Sequence, residues 1–245
     1  MSIEGMPVSK RKIKPLIDFG LVSGYDDIRL PTLKGLKKRG ILPSAIKQFV
    51  ISQGISKVES SVTFSLVESF NRKVIDSIAK RYFFVGNPVK LIVDNAPIKT
   101  KKINLHPKNE NLGSRTIKTD KIFYITRSDF DELKIGEVFR LKDLFNVKVV
   151  QKNNEIFGEY VGDDLIPESA KIQWTTDKFI KISVLVPHLL FINEDFNENS
   201  LEKVDGYAEE AVSQLKTDEI VQFERFGFVR IENTDNKITG FFAHK

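Results

Sequence analysis

The change of hydrophobic pattern near Tyr82 limits what this chain can fold into more than any other feature of the sequence. Upstream of it, apolar residues recur at helical spacing, and Gly or Pro interrupts them every ten or so residues. Downstream, runs of Val, Ile, Phe and Tyr alternate with Asn, Asp and Gly clusters. These runs are 122–126, 147–151, 156–161, 178–187, 220–231 and 238–242. The sequence predicts an α+β chain, with a small helical module before a β-rich barrel or sandwich.

Local signals place the helices of the first third. A helix from 32 to 39 is expected to stop at Gly40, and Pro43 is well placed to begin a second helix that runs to 53. Ser65 and Glu68 have the spacing of a capping box at the start of a third helix. In the β-rich part, residues 233–236 predict a hairpin turn, whereas 201–215 leaves its secondary structure open.

The net charge of +5 hides a division between the two parts. From 1 to 102 there are 19 Lys and Arg against 8 Asp and Glu, a net charge of +11; from 103 to 245 the counts are 19 and 25, a net charge of −6. A basic segment of this kind favours a polyanion partner such as nucleic acid. A lysine-rich solvated surface is the alternative.

Several classes of function are excluded or disfavoured by what the sequence lacks. With no cysteine, the chain has neither disulfides nor thiolate metal ligands, and its three histidines lie far apart without metal-ligand spacing, so no metal site is expected. No phosphate loop, dinucleotide fingerprint or nucleophile elbow is present. Without an apolar run of membrane length or a leader-like start, the chain is expected to be soluble and cytoplasmic.

A basic cluster near the start could bind phosphate. Ser9, Lys10, Arg11 and Lys12 follow a Gly- and Pro-containing segment, and ammonium and guanidinium groups suit a phosphate through charge-assisted hydrogen bonds. A solvated basic tail is the alternative interpretation.

Collinear segments along the chain resemble the class I glutamyl- and glutaminyl-tRNA synthetases. The segments are VSKRK, SGYDDIRLPTLKGLKKRGILPSAI, NRKVIDSIAKRYFFV, HPKNENLGSR, GEVFRLKDLFNV, KIQW and VQFERFGFVRI. The first resembles the mobile Lys-Met-Ser-Lys-Ser loop of that family, and the second its Trp/Tyr-Asp-Asp-Pro-Arg segment. The resemblance reaches from Gly5 to Lys245 and implies two antiparallel β-barrels of the anticodon-binding type. RLKDLFNV and the ending FERFGFVRI favour an archaeal-type glutamyl enzyme over a glutaminyl one.

The resemblance also implies roles for the basic cluster. Lys10 matches the lysine that stabilises pyrophosphate as the adenylate forms, which is electrostatic catalysis, and Ser9 and Arg11 would flank it on the ATP phosphates. ATP and Mg²⁺ are therefore expected cofactors of the intact enzyme, with none bound by this chain alone. The chain departs from the family pattern at Pro7 and Val8, and Ile28 stands where Pro is usual.

In the β-rich part, matched positions imply anticodon reading. These positions are Arg115, Arg140, Lys142, Gln222 and Arg225. Arginine and glutamine can hydrogen-bond the edges of splayed-out bases while aromatic neighbours stack on them. For Arg140, a surface ion pair with Asp143 or Glu137 is the alternative.

The helical module is implied to contact the inside corner of tRNA. The residues concerned are Tyr25, Asp27, Arg29, Lys37, Lys38 and Arg39. The implied division of the chain is 1–85 for the loop and helical module, 86–112 plus 206–245 for the proximal barrel, and 113–205 for the distal barrel.

The implied function is the tRNA-binding C-terminal part of a glutamate–tRNA ligase, which attaches glutamate to tRNA(Glu). The Rossmann-like catalytic domain is expected to lie upstream, so the chain alone is expected to be inactive and to need an N-terminal catalytic half, in cis or in trans. tRNA(Gln) is a second candidate partner. Two alternatives stay open: the corresponding part of a glutaminyl-tRNA synthetase, and a stand-alone tRNA-binding module without a ligase role.

Overall fold

The computed structural model describes residues 2–54, 61–234 and 237–245. Within these ranges the helices are α1 (Lys10–Asp18), α2 (Leu33–Arg39), α3 (Pro43–Gln53), α4 (Phe64–Ile75) and α5 (Arg127–Glu132). The strands up to the first barrel are β1 (Ser2–Ile3), β2 (Ser61–Val62), β3 (Arg81–Tyr82), β4 (Phe84–Gly86), β5 (Pro88–Asp94), β6 (Thr100–Asn104), β7 (Ser114–Lys118), β8 (Ile122–Thr126), β9 (Val138–Leu141) and β10 (Asn146–Lys152). The later strands are β11 (Ile156–Tyr160), β12 (Lys171–Ile172), β13 (Thr175–Thr176), β14 (Phe179–Pro187), β15 (Phe191–Ile192), β16 (Asp195–Phe196), β17 (Leu201–Glu209), β18 (Ile220–Phe223), β19 (Gly227–Thr234) and β20 (Lys237–His244).

The predicted helices at 32–39 and 43–53 are confirmed by α2 and α3. Thr32 caps α2 by accepting a hydrogen bond from the Gly35 amide at 2.9 Å, and Gly40 ends it in the left-handed conformation at φ +91°. Pro43 begins α3, where its missing N–H is no loss.

The predicted capping box at Ser65 is wrong. The cap residue of α4 is Thr63, two residues before Ser65, and within the described structure its side chain makes no capping hydrogen bond. The Glu68 carboxylate pairs instead with Arg39 at 2.5 Å, since a buried guanidinium from α2 lies beside it. A tertiary ion pair has replaced the local one that the spacing predicted.

The β-rich part forms two seven-stranded, barrel-like sheets, which confirms the α+β fold class. The first sheet has the order β12-β9-β10-β11-β5-β8-β13, and the second has the order β3-β18-β19-β20-β14-β17-β4. Most neighbours are antiparallel, but each sheet also contains two parallel pairs, β11 with β5 and β12 with β9 in the first, and β14 with β20 and β18 with β3 in the second. Strands β6 and β7 form a separate antiparallel hairpin.

Each sheet encloses its own apolar core. Trp174, Phe139 and Phe123 are fully buried in the first, and Phe223, Val184 and Val229 in the second. The run 220–231 that was predicted as one strand is a hairpin, because Glu224–Phe226 turn the chain between β18 and β19. The segment 201–215, whose secondary structure the sequence did not decide, is strand β17 followed by a short 3₁₀ turn, Glu210–Gln214. In the predicted turn at 233–236, residues 235 and 236 lie outside the described ranges.

The two sheets draw on different parts of the chain. The first sheet uses strands between 88 and 176, and the second uses 81–86 together with 179–244. Strand β5 therefore pairs with β8 in the first sheet, and β14 lies between β17 and β20 in the second. Domain boundaries at 86, 113 and 206 stay a prediction.

The helical module is fixed to the second sheet through β20. Asn71 of α4 is fully buried; its amide nitrogen donates to the Gly40 carbonyl at 3.1 Å, and its oxygen accepts from the Leu42 amide at 2.9 Å. The same nitrogen lies 3.1 Å from Nε2 of His244 at the end of β20.

No helix in the described ranges combines the length and apolar character that crossing a membrane requires.

Candidate nucleic-acid interface

A buried ion pair holds Arg115 where the segment 88–176 meets the segment 209–225. It lies in β7, where Nε pairs with Oε1 of Glu209 at the end of β17, and Nη1 donates to the Asn104 carbonyl at 2.9 Å. Its guanidinium also packs 4.9 Å from the centre of the Phe83 ring. Burial raises the pKa of Glu209, and Arg115 acts in the opposite direction.

Lys142 lies in the same region, directly after β9. Its ammonium pairs with Glu224, which follows β18, and lies 3.9 Å from Asp143. Burial lowers the pKa of Lys142; Asp143 opposes this effect, while the nearby cations Arg115, Arg81 and Arg225 add to it. Lys142 therefore lies near other cations that the chain brings together from distant segments.

Arg225 faces this region from the β18–β19 turn. The residue has left-handed backbone geometry at φ +63°, and its guanidinium makes a bidentate pair with Asp129, at 3.0 and 2.8 Å. Asp129 is itself buried in α5 and accepts a third hydrogen bond, 2.7 Å long, from the Thr126 hydroxyl. About half of the Arg225 side chain remains exposed, so it can contact a ligand while Asp129 orients it.

These ion pairs define what we call the interface cluster: Arg115, Lys142 and Arg225 with their carboxylate partners Glu209, Glu224 and Asp129. Each pair joins a residue between 88 and 176 to one between 209 and 225. Sequence reasoning identified the cations of this cluster but not its carboxylates. It also missed Arg81, whose buried Nε has no hydrogen-bond partner in the described structure.

The remaining two predicted readers behave differently. Gln222 lies in β18, half-buried, and its Oε1 atom is buried without a hydrogen-bond partner among the described residues. Arg140 is buried away from the cluster: Nη1 donates to Asn146 and to the Asp163 carbonyl, each at 3.0 Å, and Nη2 donates to the Leu144 carbonyl at 3.2 Å. Neither alternative ion pair of Arg140, with Asp143 or with Glu137, is formed, because its guanidinium donates hydrogen bonds to backbone carbonyls instead.

An open cleft of about 450 Å³ lies beside Arg225. Its lining combines both signs of charge with aromatic and amide groups. Among the lining residues are Arg127, Asp129, Gln173, Glu224, Arg225 and Phe226. Of the aromatic side chains in the VQFERFGF run, Phe223 and Phe228 are buried in cores, whereas Phe226 is half-buried and reaches the cleft.

The basic cluster near the start opens helix α1. Ser9 is the N-cap and accepts a hydrogen bond from the Lys12 amide at 3.4 Å, while Lys10 and Arg11 are exposed in the first turn. That turn contains no acidic side chain. The preceding Gly5–Ser9 segment lines a second cleft against Leu189 and Phe191, and the Gly5 carbonyl accepts from the Phe191 amide at 3.1 Å.

Of the predicted inner-corner residues, the structure buries three and leaves three accessible. Asp27 and Arg29 form a buried pair at 2.7 Å, and Arg39 is buried against the Phe242 and Ala243 carbonyls. The Asp27–Arg29 pair lies within the helical module, and the Arg39 contacts join the module to β20. Tyr25 and Lys37 are exposed, and Lys38 is half-exposed, 2.8 Å from Asp26.

Three family models match successive parts of the chain. The model described as tRNA synthetases class I (E and Q), catalytic domain, matches residues 1–77; two models described as anti-codon binding domain of the same enzymes match 79–161 and 171–232. The chain belongs to the class I glutamyl- and glutaminyl-tRNA synthetase family. The boundary between the first two matches lies next to β3, where the helical part gives way to the sheets.

Similar proteins in archaea carry the name glutamate–tRNA ligase. Over the whole length of this chain, the sequence is 42% identical to the ligase of Nitrosopumilus maritimus and 37% identical to the ligase of Pyrococcus abyssi. Over 95% of this chain, it is 39% identical to the ligase of Cenarchaeum symbiosum. The chain spans 41 to 42% of the length of these relatives.

The family matches divide the interface cluster between them. Arg115, Asp129 and Lys142 fall in the first anticodon-binding match, and Glu209, Glu224 and Arg225 in the second. Each ion pair of the cluster therefore connects the two matched regions.

Proposed function

We propose that this chain is the tRNA-holding part of a glutamate–tRNA ligase and that the interface cluster reads the anticodon of tRNA(Glu). The convergence of Arg115, Lys142 and Arg225 from distant segments onto one junction is the observation that carries the proposal. Such cations can bind phosphates and hydrogen-bond base edges, and an open cleft beside Arg225 leaves room for an unpaired base. Gln222, whose Oε1 has no hydrogen-bond partner among the described residues, is a further reader in this proposal. The exposed Tyr25 and Lys37 are contacts for the inside corner of the tRNA.

We assign Ser9, Lys10 and Arg11 to the phosphates of ATP. The exposed cations at the start of α1 suit a phosphate, and no carboxylate in that turn opposes it. When bound, ATP would supply the β- and γ-phosphates that leave together as pyrophosphate, and Lys10 would stabilise the charge on them. No residue of this chain is assigned to Mg²⁺.

The proposed ligase activity requires the parts of the relatives that this chain does not span. We propose that the chain charges tRNA with glutamate only together with a catalytic half, which is part of the same polypeptide or a separate subunit. This reaction takes place in the cytoplasm. Charging of tRNA(Glu) on addition of the catalytic half of a similar archaeal enzyme would support the ligase function. Binding without charging would favour the stand-alone tRNA-binding module.

Binding of tRNA transcripts to the purified chain tests anticodon reading. We expect the parent chain to bind tRNA(Glu) more tightly than transcripts substituted in the anticodon. The Arg225→Ala change should weaken binding of the natural transcript by about 1–3 kcal/mol and reduce this preference. Lys203→Ala is the matched control, because that lysine is exposed and pairs with Asp205 on β17. Equal affinity of the parent chain for all transcripts would contradict the proposal.

A further inference from the structure

Gln173 is a buried amide whose polar atoms lack partners. Its residue is 1% exposed, and neither Oε1 nor Nε2 makes a hydrogen bond in the described structure. Leaving a buried polar group unpaired is unfavourable, so such groups are rare in native proteins.

Two other buried amide side chains among the described residues are satisfied. Asn71 uses both its oxygen and its nitrogen, and Asn146 accepts from Arg140 at 3.0 Å and donates to the Asp164 carbonyl at 2.7 Å. By contrast, the Gln173 amide leaves its donor and its acceptor unpaired within the described residues, at the edge of a cleft that the residue lines.

The position of Gln173 shows where a ligand would lie. The residue lines the cleft that also contains Glu224, Arg225 and Phe226. Its neighbour Trp174 is fully buried in the first core and donates to the Lys142 carbonyl at 2.9 Å, so the backbone that carries Gln173 is firmly anchored. A rigid backbone places the amide at a fixed position, as recognition of a ligand requires.

We propose that Gln173 is a base-reading residue, whose amide donates to and accepts from the edge of one unpaired base of the tRNA anticodon. An amide offers a donor and an acceptor side by side, and a base edge offers the complementary pair. Phe226 supplies an aromatic surface for stacking on that base, and Arg225 lies beside it with half of its side chain exposed. This inference rests on the proposed tRNA-binding function.

The Gln173→Met change tests the inference, because methionine keeps the unbranched shape and removes both polar atoms. Binding is measured for natural tRNA(Glu) and for transcripts substituted at each anticodon position. We expect affinity for the natural transcript to fall about tenfold or more and the preference at one anticodon position to disappear, with preferences at the other positions kept. The melting temperature of the free chain should stay the same or rise, since an unpaired buried amide has been removed. Gln151→Met, at an exposed residue of β10, should change neither measurement.

The other outcomes are also decisive. Unchanged affinity and unchanged preferences in Gln173→Met, with the parent chain still binding tRNA selectively, would overturn the role of Gln173 and leave the proposed function standing. A lower melting temperature with an equal loss for every transcript would assign Gln173 a structural role instead. Failure of the parent chain to bind tRNA would overturn the proposed function and this inference with it.

Discussion

At the scale of single residues, His244 shows how burial sets the charge of a group. Its side chain is 1% exposed between Asn71 and the Phe228 ring, whose centre lies 5.1 Å away. Burial lowers the pKa of His244 to about 4, and Arg72 and Arg39 act in the same direction, whereas the Lys245 carbonyl opposes them. The imidazole is therefore neutral in the folded chain at neutral pH.

This lowered pKa predicts a loss of stability in acid. Below about pH 6.5 the unfolded chain protonates His244, while the folded chain does so only near pH 4, so the contribution is complete above pH 6.5 and declines as the pH falls to about 4. Urea unfolding across this range should show that the free energy of unfolding falls by about 3 kcal/mol more for the parent than for His244→Gln. His188→Gln, at an exposed histidine, should follow the parent. Parallel curves for the parent and His244→Gln would contradict the prediction.

The carboxylates of the interface cluster show what single-residue reasoning misses. Arg115, Lys142 and Arg225 could be identified from the family segments in which they stand. Their partners could not, since Asp129 is 96 residues away from Arg225 and Glu224 is 82 residues away from Lys142 along the chain. Arg140 stands in an equally good segment, but the carbonyls of a neighbouring loop surround it. Only the tertiary fold distinguishes these cases.

At the scale of elements, α2 depends on a glycine that its backbone geometry does not require. Gly35 faces the loop before the helix, and a Cβ atom there would lie 2.5 Å from the Asp27 carbonyl oxygen and 2.6 Å from that of Leu30. Both are backbone atoms, which cannot turn aside as a flexible side chain can. The close approach packs α2 against the segment that carries the buried Asp27–Arg29 pair.

We therefore expect Gly35→Ala to reverse the usual effect of this change in a helix. Helix propensity alone would stabilise the chain by about 1 kcal/mol, but overpacking against two carbonyls should destabilise it by roughly 1–3 kcal/mol. Gly20→Ala is the comparison, because a Cβ there meets no atom within 4 Å and only the positive φ of +69° opposes it. Thermal unfolding of the two variants measures the difference. A stability of Gly35→Ala equal to or above that of the parent would show that the contact is not restrictive.

Elements were predictable where their signals are local. Gly40 marks the end of α2, Pro43 marks the beginning of α3, and the run 122–126 is β8. Strand pairing was not predictable, because it depends on partners far away: β8 pairs with β5 on one side and β13 on the other. The turn at Glu224–Phe226 was missed since it lies in an apolar run, and Arg225 adopts left-handed geometry without being glycine or asparagine.

At the scale of the whole molecule, net charge and specificity lie in different parts of the chain. The segment 1–102 carries a net charge of +11, yet the predicted base readers stand in the remainder, which carries −6. Phosphate contacts depend on accessible charge, whereas base reading depends on a few oriented donors. The interface cluster supplies such donors by pairing each cation with a carboxylate, so its local charge is nearly balanced.

Salt dependence of tRNA binding separates these two contributions. Lys37 is exposed on α2 and forms no ion pair within the described residues, so in the proposed function it contacts a phosphate. Lys37→Ala should weaken binding of natural and anticodon-substituted transcripts equally and lower the slope of log affinity against log salt by about one. Arg225→Ala should chiefly reduce the preference among transcripts. A change of preference in Lys37→Ala would place this lysine among the readers, and an unchanged slope would remove it from the phosphate contacts.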